Sequence, residues 1–449
     1  MIREDHNSAG KEQVLQRCEE ENIQFIKLQF TDILGAVKNV TIPVEQLPKA
    51  LDANISFDGG SIEGFVRIEE SDMLLQPDPG SFAVFPWQSD DRARIARLMC
   101  NITWPDGEPF EGCPRTILER VMADGRRLGY ELFAGPEPEF FLFMRKADGS
   151  PTLDSHDQAG YFDMPPLDRG EAARQDMVKA LIDMNFEIEA SHHEAAPAQH
   201  EIDFKYADAL TTADQIATFR FVVRTVALQH NLHATFMPKP KFGIAGSGMH
   251  VHMSLFREDI NAFYEPEDAD GLNGACRHFI AGLMHHCRGF TAITNPLVNS
   301  YKRLVSGFEA PVHIAWSMGN RSPLIRIPAR RGEGTRVELR SPDPSCNPYL
   351  ALAVTFAAGL DGISKEMPLC EPINDNIYDM DAQERRKKDI GALPKSLHQA
   401  LRHLQDNELV LDTLTQHVSD RFMQAKRIEW EEYRSQIHEW EVRRYLGAY

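Results

Sequence analysis

Long apolar runs are missing from this chain. No stretch approaches the roughly 20 residues that cross a bilayer, so a membrane span is not expected. The segment Met1 to Gly10 is polar and lacks the apolar centre of a secretory signal. Cysteine is sparse: 7 residues in 449, at positions 18, 100, 113, 276, 287, 346 and 370, without a C-x-x-C pair. That spacing fits free thiols in a reducing compartment better than a disulfide framework. Basic charge is in deficit, with 48 Lys and Arg against 67 Asp and Glu and a net charge of -19. That argues against nonspecific binding of nucleic acid or an anionic membrane over the whole surface, and says little about a local site. Internal repeats and low-complexity tracts are absent. What is present is ordinary for a globular protein, 42% hydrophobic and 26% charged, long enough for a large core and more than one domain. The expectation is a cytoplasmic protein of enzyme size.

The early part of the chain reads as a helix over about Lys11 to Glu21, a strand over Ile23–Phe30, a turn at Asp32–Gly35 and a second strand closed by Pro43. Phe57-Asp58-Gly59-Gly60-Ser61 is either a loop that lets backbone approach a ligand or a plain surface turn. Turn residues cluster at Trp104–Gly107, which divides the chain into domains 1–107 and 108–449. Cys113-Pro114 then opens a helix running to about Leu128, with proline at the favourable first turn.

The second part carries the chemistry. Gly135–Phe143 reads G-P-E-P-E-F-F-L-F. On a strand, Glu137 and Glu139 point to one face, next to a buried-strand composition. Two anions near a core need neutralising cations, and oxygen ligands suit magnesium or manganese. The competing reading is a solvated edge strand, which Pro138 fits. Phe186 to Phe204 forms two alternating runs about a turn at Ala195–Ala198, with Gln199, Glu201 and Asp203 on one face and Glu194 just before the turn. Helices are expected over Glu171–Met184 and about Asp214–His230. Gly246-Ser-Gly-Met-His-Val-His-Met-Ser254 puts His250, His252 and Ser254 on one face. Arg336, Glu338 and Arg340 alternate with apolar residues on a half-buried strand, and an acid between two guanidinium groups is poor design for solubility alone. Asn347-Pro348 caps an apolar helix to about Ile363. The remainder, Leu393 to Tyr445, is helical, and its Trp430, Tyr433 and Trp440 suit packing or subunit contacts. Five carboxylates with a histidine can hold two or three divalent ions. The arginines can hold phosphate and a substrate carboxylate, so the set points to ATP-dependent activation of a carboxylate.

These motifs, with F-D-G-G-S-I, K-P-K-F-G-I-A-G-S-G-M-H-V-H, N-S-Y-K-R-L-V, N-R-S-P-L-I-R-I-P and R-V-E-L-R-S-P-D-P-S-C-N-P-Y-L-A-L-A, resemble bacterial type I glutamine synthetases along nearly the whole chain. The resemblance implies an α+β protein: an N-terminal β-grasp domain, then a catalytic domain with a curved antiparallel sheet flanked by helices. It implies ATP-dependent ligation of ammonia to L-glutamate through γ-glutamyl phosphate, with two to three Mg2+ or Mn2+ ions per site. It also implies a dodecamer of two hexameric rings with sites between subunits. By motif position, Glu139, Glu194 and Glu201 hold one metal, and Glu137, His250 and Glu338 a second. Glu189, His252, Ser254, Arg321, Arg326 and Arg336 meet the nucleotide. Gly246, Arg303, Glu309, Arg321 and Arg340 handle glutamate and the transferring phosphoryl group. Asp58 of a neighbour helps bind ammonium, Glu309 takes its proton, and Arg67 senses glutamine in feedback. Four departures from the family pattern bear on affinity and loop rigidity: Gly60 where the family commonly has Ser, Ala245 where it often has Asn, and Ser306 and Phe308 in place of Pro and Tyr. Two other roles compete, a γ-glutamylamide ligase using a polyamine or other amine, and a glutamine-responsive sensor that binds a transcription regulator.

Overall fold

The computed structural model describes residues 2–62, 72–87, 93–308 and 310–449, with side chains from residue 10 onward. Arg67 and Glu309 fall outside the described residues. After a first helix, Ile2–Glu20, the alternating run Ile23–Thr31 pairs antiparallel with Val37–Pro43 and parallel with Arg94–Thr103. The sheet continues through Asp72–Pro77 to Ile55–Asp58 at its far edge, and Ala83–Val84 pairs with Arg94–Thr103. Gly59–Ser61 is a tight helical turn whose entry is capped by the Asp58 side chain, which accepts the Gly60 N–H at 2.9 Å.

The second sheet is built on one long strand, Glu131–Arg145. Met249–Arg257 flanks one side of it and Gln199–Phe204 the other, followed outward by Val337–Leu339, Ile325–Arg326 and Trp316–Ser317 on one wing and Ile188–His193 on the other. Three short strands, Pro151–Ser155, Ala207–Asp208 and Leu232–Thr235, also pair with the long strand. The edge reading of Gly135–Phe143 is therefore overturned, since the strand is central. Pro138 is tolerated because its missing N–H points to the side where pairing passes from Ala134–Ala207 to Glu139–Glu201. The sheet is antiparallel apart from the edge pair Trp316–Ser317 and Ile325–Arg326, which runs parallel.

Alternation along the long strand sorts its side chains. Phe140 and Leu142 join the main core, while Phe141 and Phe143, on the face of Glu137 and Glu139, pack with Ala196 and Ala198. Each such burial contributes about 1.5–3 kcal/mol, and the second cluster walls the carboxylate face with hydrocarbon. The helix Pro348–Ser364 is capped by Asn347, whose side chain accepts from the Tyr349 and Leu350 N–H groups. The Asn347 amide also donates to the Asp32 and Ile33 carbonyls at 3.0 and 3.2 Å, tying this cap to the N-terminal sheet. One helix starts earlier than its periodicity indicates, at Ala209 instead of Asp214, because Asp208 accepts from the Leu210 and Thr211 N–H groups. All seven cysteines are unpaired, and only Cys370 is exposed. Trp430 packs on the core and Trp440 is exposed.

The two sheets are also joined through Arg115, on the helix Pro114–Arg127. Its guanidinium reaches Asp78 at 2.5 Å, Asp214 at 3.0 Å and the Asn101 side chain at 3.0 Å, while Tyr349 donates to Asp214 at 2.7 Å. Burial opposes the Arg115 charge, but Asp214 and Asp78 outweigh it and hold its pKa above the usual value. Arg115→Ala leaves Asp214 buried without its cation, so we expect a loss of about 3–5 kcal/mol. A denaturation midpoint matching wild type would refute this account of the joint.

Candidate active site

Strand register sets the first cluster. His250 lies directly opposite Glu137, and Glu338 opposite both His252 and Arg326. Ligand atoms of Glu137, His250 and Glu338 lie within 4.8 Å of one another. The Arg336 Nε donates to His252 Nδ1 at 3.1 Å. Guanidinium cannot accept, so His252 carries its hydrogen on Nε2 and donates to Glu137 Oε1 at 2.7 Å. Burial pushes the Glu137 carboxyl up, but the hydrogen bonds from His250 and His252 dominate and hold it well below the usual range. Glu338 is fully buried between Arg326 and Arg340, each donating to one of its oxygens. Burial works against its charge, and His250, His252 and the two arginines keep its pKa low. A cavity of about 220 Å³ opens beside this cluster, lined by Glu189, Ser254, His252, Arg336 and Glu137 among others.

The second cluster lies around Glu139, two residues along the same strand. His192 Nε2 stands 3.3 Å from Glu201 and its Nδ1 3.5 Å from Glu194, and the three form a compact ligand group. Glu139 accepts from Gln199 at 2.8 Å. Burial, then Glu194 and Glu201, push its pKa well up, against the pull of Arg303. Glu201 is raised by burial, Asp203 and Glu194, and Asp203, driven by burial and Glu137, is pushed to about 7. So many carboxylates repelling one another in a buried space is the electrostatics of a cation site, and their oxygen-rich composition fits hard divalent metals.

The loop before Met249 brings backbone close. The Gly246 carbonyl accepts from Gln199, and a Cβ on Gly246 would lie 2.3 Å from the Pro238 oxygen. At Gly248 a Cβ would lie 2.4 Å from Arg303 Nη2 and 3.2 Å from Glu139 Oε1, so no side chain fits there. Arg303 is buried and donates to the Ser341, Pro342 and Arg340 carbonyls. Arg321 is exposed and hydrogen-bonds the Tyr161 hydroxyl, whose pKa is raised by burial and by Glu194.

Asp58 is not joined by any hydrogen bond or ion pair to the large sheet among the described residues. Among the departures, Phe308 lies under the Lys239 ammonium, 3.8 Å from the ring centroid, a contact that needs no phenolic hydroxyl. Ala245 packs beside the Phe141 cluster, and Ser306 borders a separate cavity with Tyr301 and Tyr378. Tyr161 and His192 join the site beyond the residues expected from the sequence. His192 had a signal in its alternation with Glu194, whereas Tyr161 sits on an irregular loop without a readable period.

The N-terminal part, residues 22–105, matches the family model described as glutamine synthetase, beta-Grasp domain, and residues 111–445 match glutamine synthetase, catalytic domain. The glutamine synthetase of Thermus thermophilus is 58% identical over 442 residues, covering 98% of this chain and 99% of that one. That of Staphylococcus aureus is 54% identical over 440 residues, 98% of each chain. Among solved structures, one described as a GmaS/ADP complex superposes with a TM-score of 0.88 at 34% identity, covering 97% of this chain and 99% of that one. The Plasmodium falciparum glutamine synthetase superposes with a TM-score of 0.85 at 26% identity over 98% of each chain.

Proposed function

The chain belongs to the glutamine synthetase family, and from that premise we propose how its residues carry the family's reaction. The enzyme ligates ammonia to L-glutamate with ATP, giving L-glutamine, and uses divalent metal. The observation that carries the residue assignment is the pair of carboxylate clusters gathered around Glu137 and Glu139, two residues apart on one strand, one beside a cavity of about 220 Å³ and the other beside Arg303 and Tyr161.

In this reading Glu137, His250 and Glu338 hold one metal, and Glu139, Glu194 and Glu201, with His192 adjoining, hold another. Magnesium or manganese there would neutralise phosphate charge as the γ-phosphoryl group moves to the substrate's γ-carboxylate. Glu189, His252, Ser254, Arg326 and Arg336 position the nucleotide. His252 acts with a fixed tautomer, because Arg336 occupies its other nitrogen. Gly246, Arg303, Arg321 and Arg340 orient glutamate and steady the phosphoryl group. The γ-glutamyl phosphate so formed is open to hydrolysis, and Glu309 both closes over it and accepts a proton from ammonium. Asp58 of a neighbouring subunit attracts the ammonium ion, which requires the ring-shaped dodecamer. Exposed apolar side chains at Phe162, Met164, Leu167 and Trp440 support burial against further copies. Among the described residues no helix is long and apolar enough to cross a membrane, and we place the enzyme in the cytoplasm.

An amine panel tests the substrate assignment. With ATP and glutamate, ammonia should give product at least tenfold faster than any polyamine or alkylamine at equal concentration. Preference for a larger amine would replace this reading with that of a γ-glutamylamide ligase. The same assay with added glutamine tests feedback through Arg67, since inhibition should appear in wild type and be relieved in Arg67→Ala.

A further inference from the structure

Behind the Glu194 and Glu201 carboxylates lies a second polar cluster that the reaction does not use. His193 and His200 pair directly across the hairpin, on the face opposite His192 and Glu201. There they meet His156, Asp157 and Asp168. Asp157 is 4% exposed, Asp168 2%, and His193 and His200 0%. One ligand atom from each of Asp157, Asp168, His193 and His200 lies within 4.8 Å of every other.

Hydrogen bonds fix the tautomers. His156 Nδ1 is 2.8 Å from the Leu142 carbonyl, and His193 Nδ1 is 2.7 Å from the Glu194 carbonyl. Carbonyls only accept, so both Nδ1 atoms carry hydrogen, and Nε2 of each ring is a lone pair when the ring is neutral and a donor when it is protonated. Both lone pairs converge on Asp157 Oδ2, at 3.1 and 3.3 Å. Neither ring makes an aligned hydrogen bond to it, so the three buried atoms meet only as ion-pair contacts, without a hydrogen-bond partner among the described residues. Two ligands about 2.0–2.2 Å from a tetrahedral metal stand roughly 3.3 Å apart, each lone pair aimed off the line between them. A single proton would satisfy only one of the two rings.

The surrounding groups suit that role. Arg174 donates to Asp168 at 2.8 Å and to His200 Nδ1 at 2.9 Å. Asp168 is thus neutralised, and His200 keeps its hydrogen on Nε2, a donor with no partner. Asp157 faces both rings, as their counter-ion while Nε2 is protonated and as a fellow ligand where a metal replaces those protons. Nδ1–H groups held by backbone carbonyls are the usual outer support of metal-binding histidines.

We propose that His156 Nε2, His193 Nε2 and Asp157 Oδ2 form a zinc site, separate from the catalytic metals, that fastens the 156–157 loop to the turn bearing Glu194. Two imidazoles with one carboxylate favour zinc over magnesium. The other oxygen of Asp157 already accepts the Ala198 N–H of that turn at 2.9 Å.

The test uses full-length enzyme equilibrated with micromolar zinc in millimolar magnesium and desalted, with zinc on the carboxylate clusters, each offering one imidazole, told apart by its ligand spectrum. We expect about one zinc per chain, with two imidazole nitrogens in its X-ray absorption fine structure. His156→Asn and His193→Asn should each weaken zinc retention by at least about tenfold, while Glu194→Gln leaves it unchanged. A wild type retaining no zinc, or zinc ligated by fewer than two imidazoles, overturns the site, as does full retention in both histidine variants. If a variant fails to fold, the zinc content and ligand spectrum of wild type still decide.

Discussion

Glu338→Ala should lower kcat/KM for ATP by about 10³-fold or more, comparable to removing a preorganised group that stabilises transition-state charge. Three effects combine. The cluster with Glu137 and His250 loses a carboxylate. Arg326 and Arg340 lose the oxygens to which they donate, so two cations are left uncompensated beside the nucleotide. The buried volume of the side chain is vacated in the middle of a three-residue strand. Glu338→Gln keeps volume and one acceptor, and should recover part of the folding stability without recovering activity. Turnover within threefold of wild type at saturating magnesium or manganese, for either variant, would remove Glu338 from the assigned role.

The second large effect concerns Glu309. Its replacement by alanine should cut glutamine formation by about 10²–10⁴-fold, the usual range for loss of a general base, while ATP still binds. Phosphate release should fall less than glutamine release, because an acyl phosphate that is not aminolysed is hydrolysed. The preceding Ser306 allows more backbone freedom than the proline common at this position in the family. Ser306→Pro should therefore lower the ratio of phosphate to glutamine. Measuring both products for each variant decides the matter. An unchanged glutamine yield from Glu309→Ala would show that another group takes the proton.

Much of this architecture was legible because its signals are local. The spacing of Glu137 and Glu139 gave a face, His250 and His252 gave another, and the Asn347-Pro348 pair gave a helix start that its hydrogen bonds confirm. The structure brings Glu137, His250 and Glu338 together, although 201 positions separate the outer two. No period could supply that proximity, and it entered through family resemblance. What was not legible depended on register between strands. The proline-bearing strand read equally well as an edge, because sequence does not say what lies on either side of it. His193 and His200 read as the unused face of a hairpin, and only the approach of the irregular 156–168 loop turns them into a cluster.

The strand Glu131–Arg145 also acts as a ruler. Glu137 belongs to the cluster beside the cavity of about 220 Å³, and Glu139 lies near Glu194, Glu201 and Arg303. Two residues of extended chain span about 6.6–6.8 Å, and pairing with Met249–Arg257 along one side and, from Glu139 onward, with Gln199–Phe204 on the other keeps that interval from stretching. In the proposed assignment, donor and acceptor of the phosphoryl group would therefore be gauged against one rigid piece of backbone. A residue inserted between Glu137 and Glu139 would turn one carboxylate to the opposite face and separate the two halves of the reaction, even if the sheet still formed.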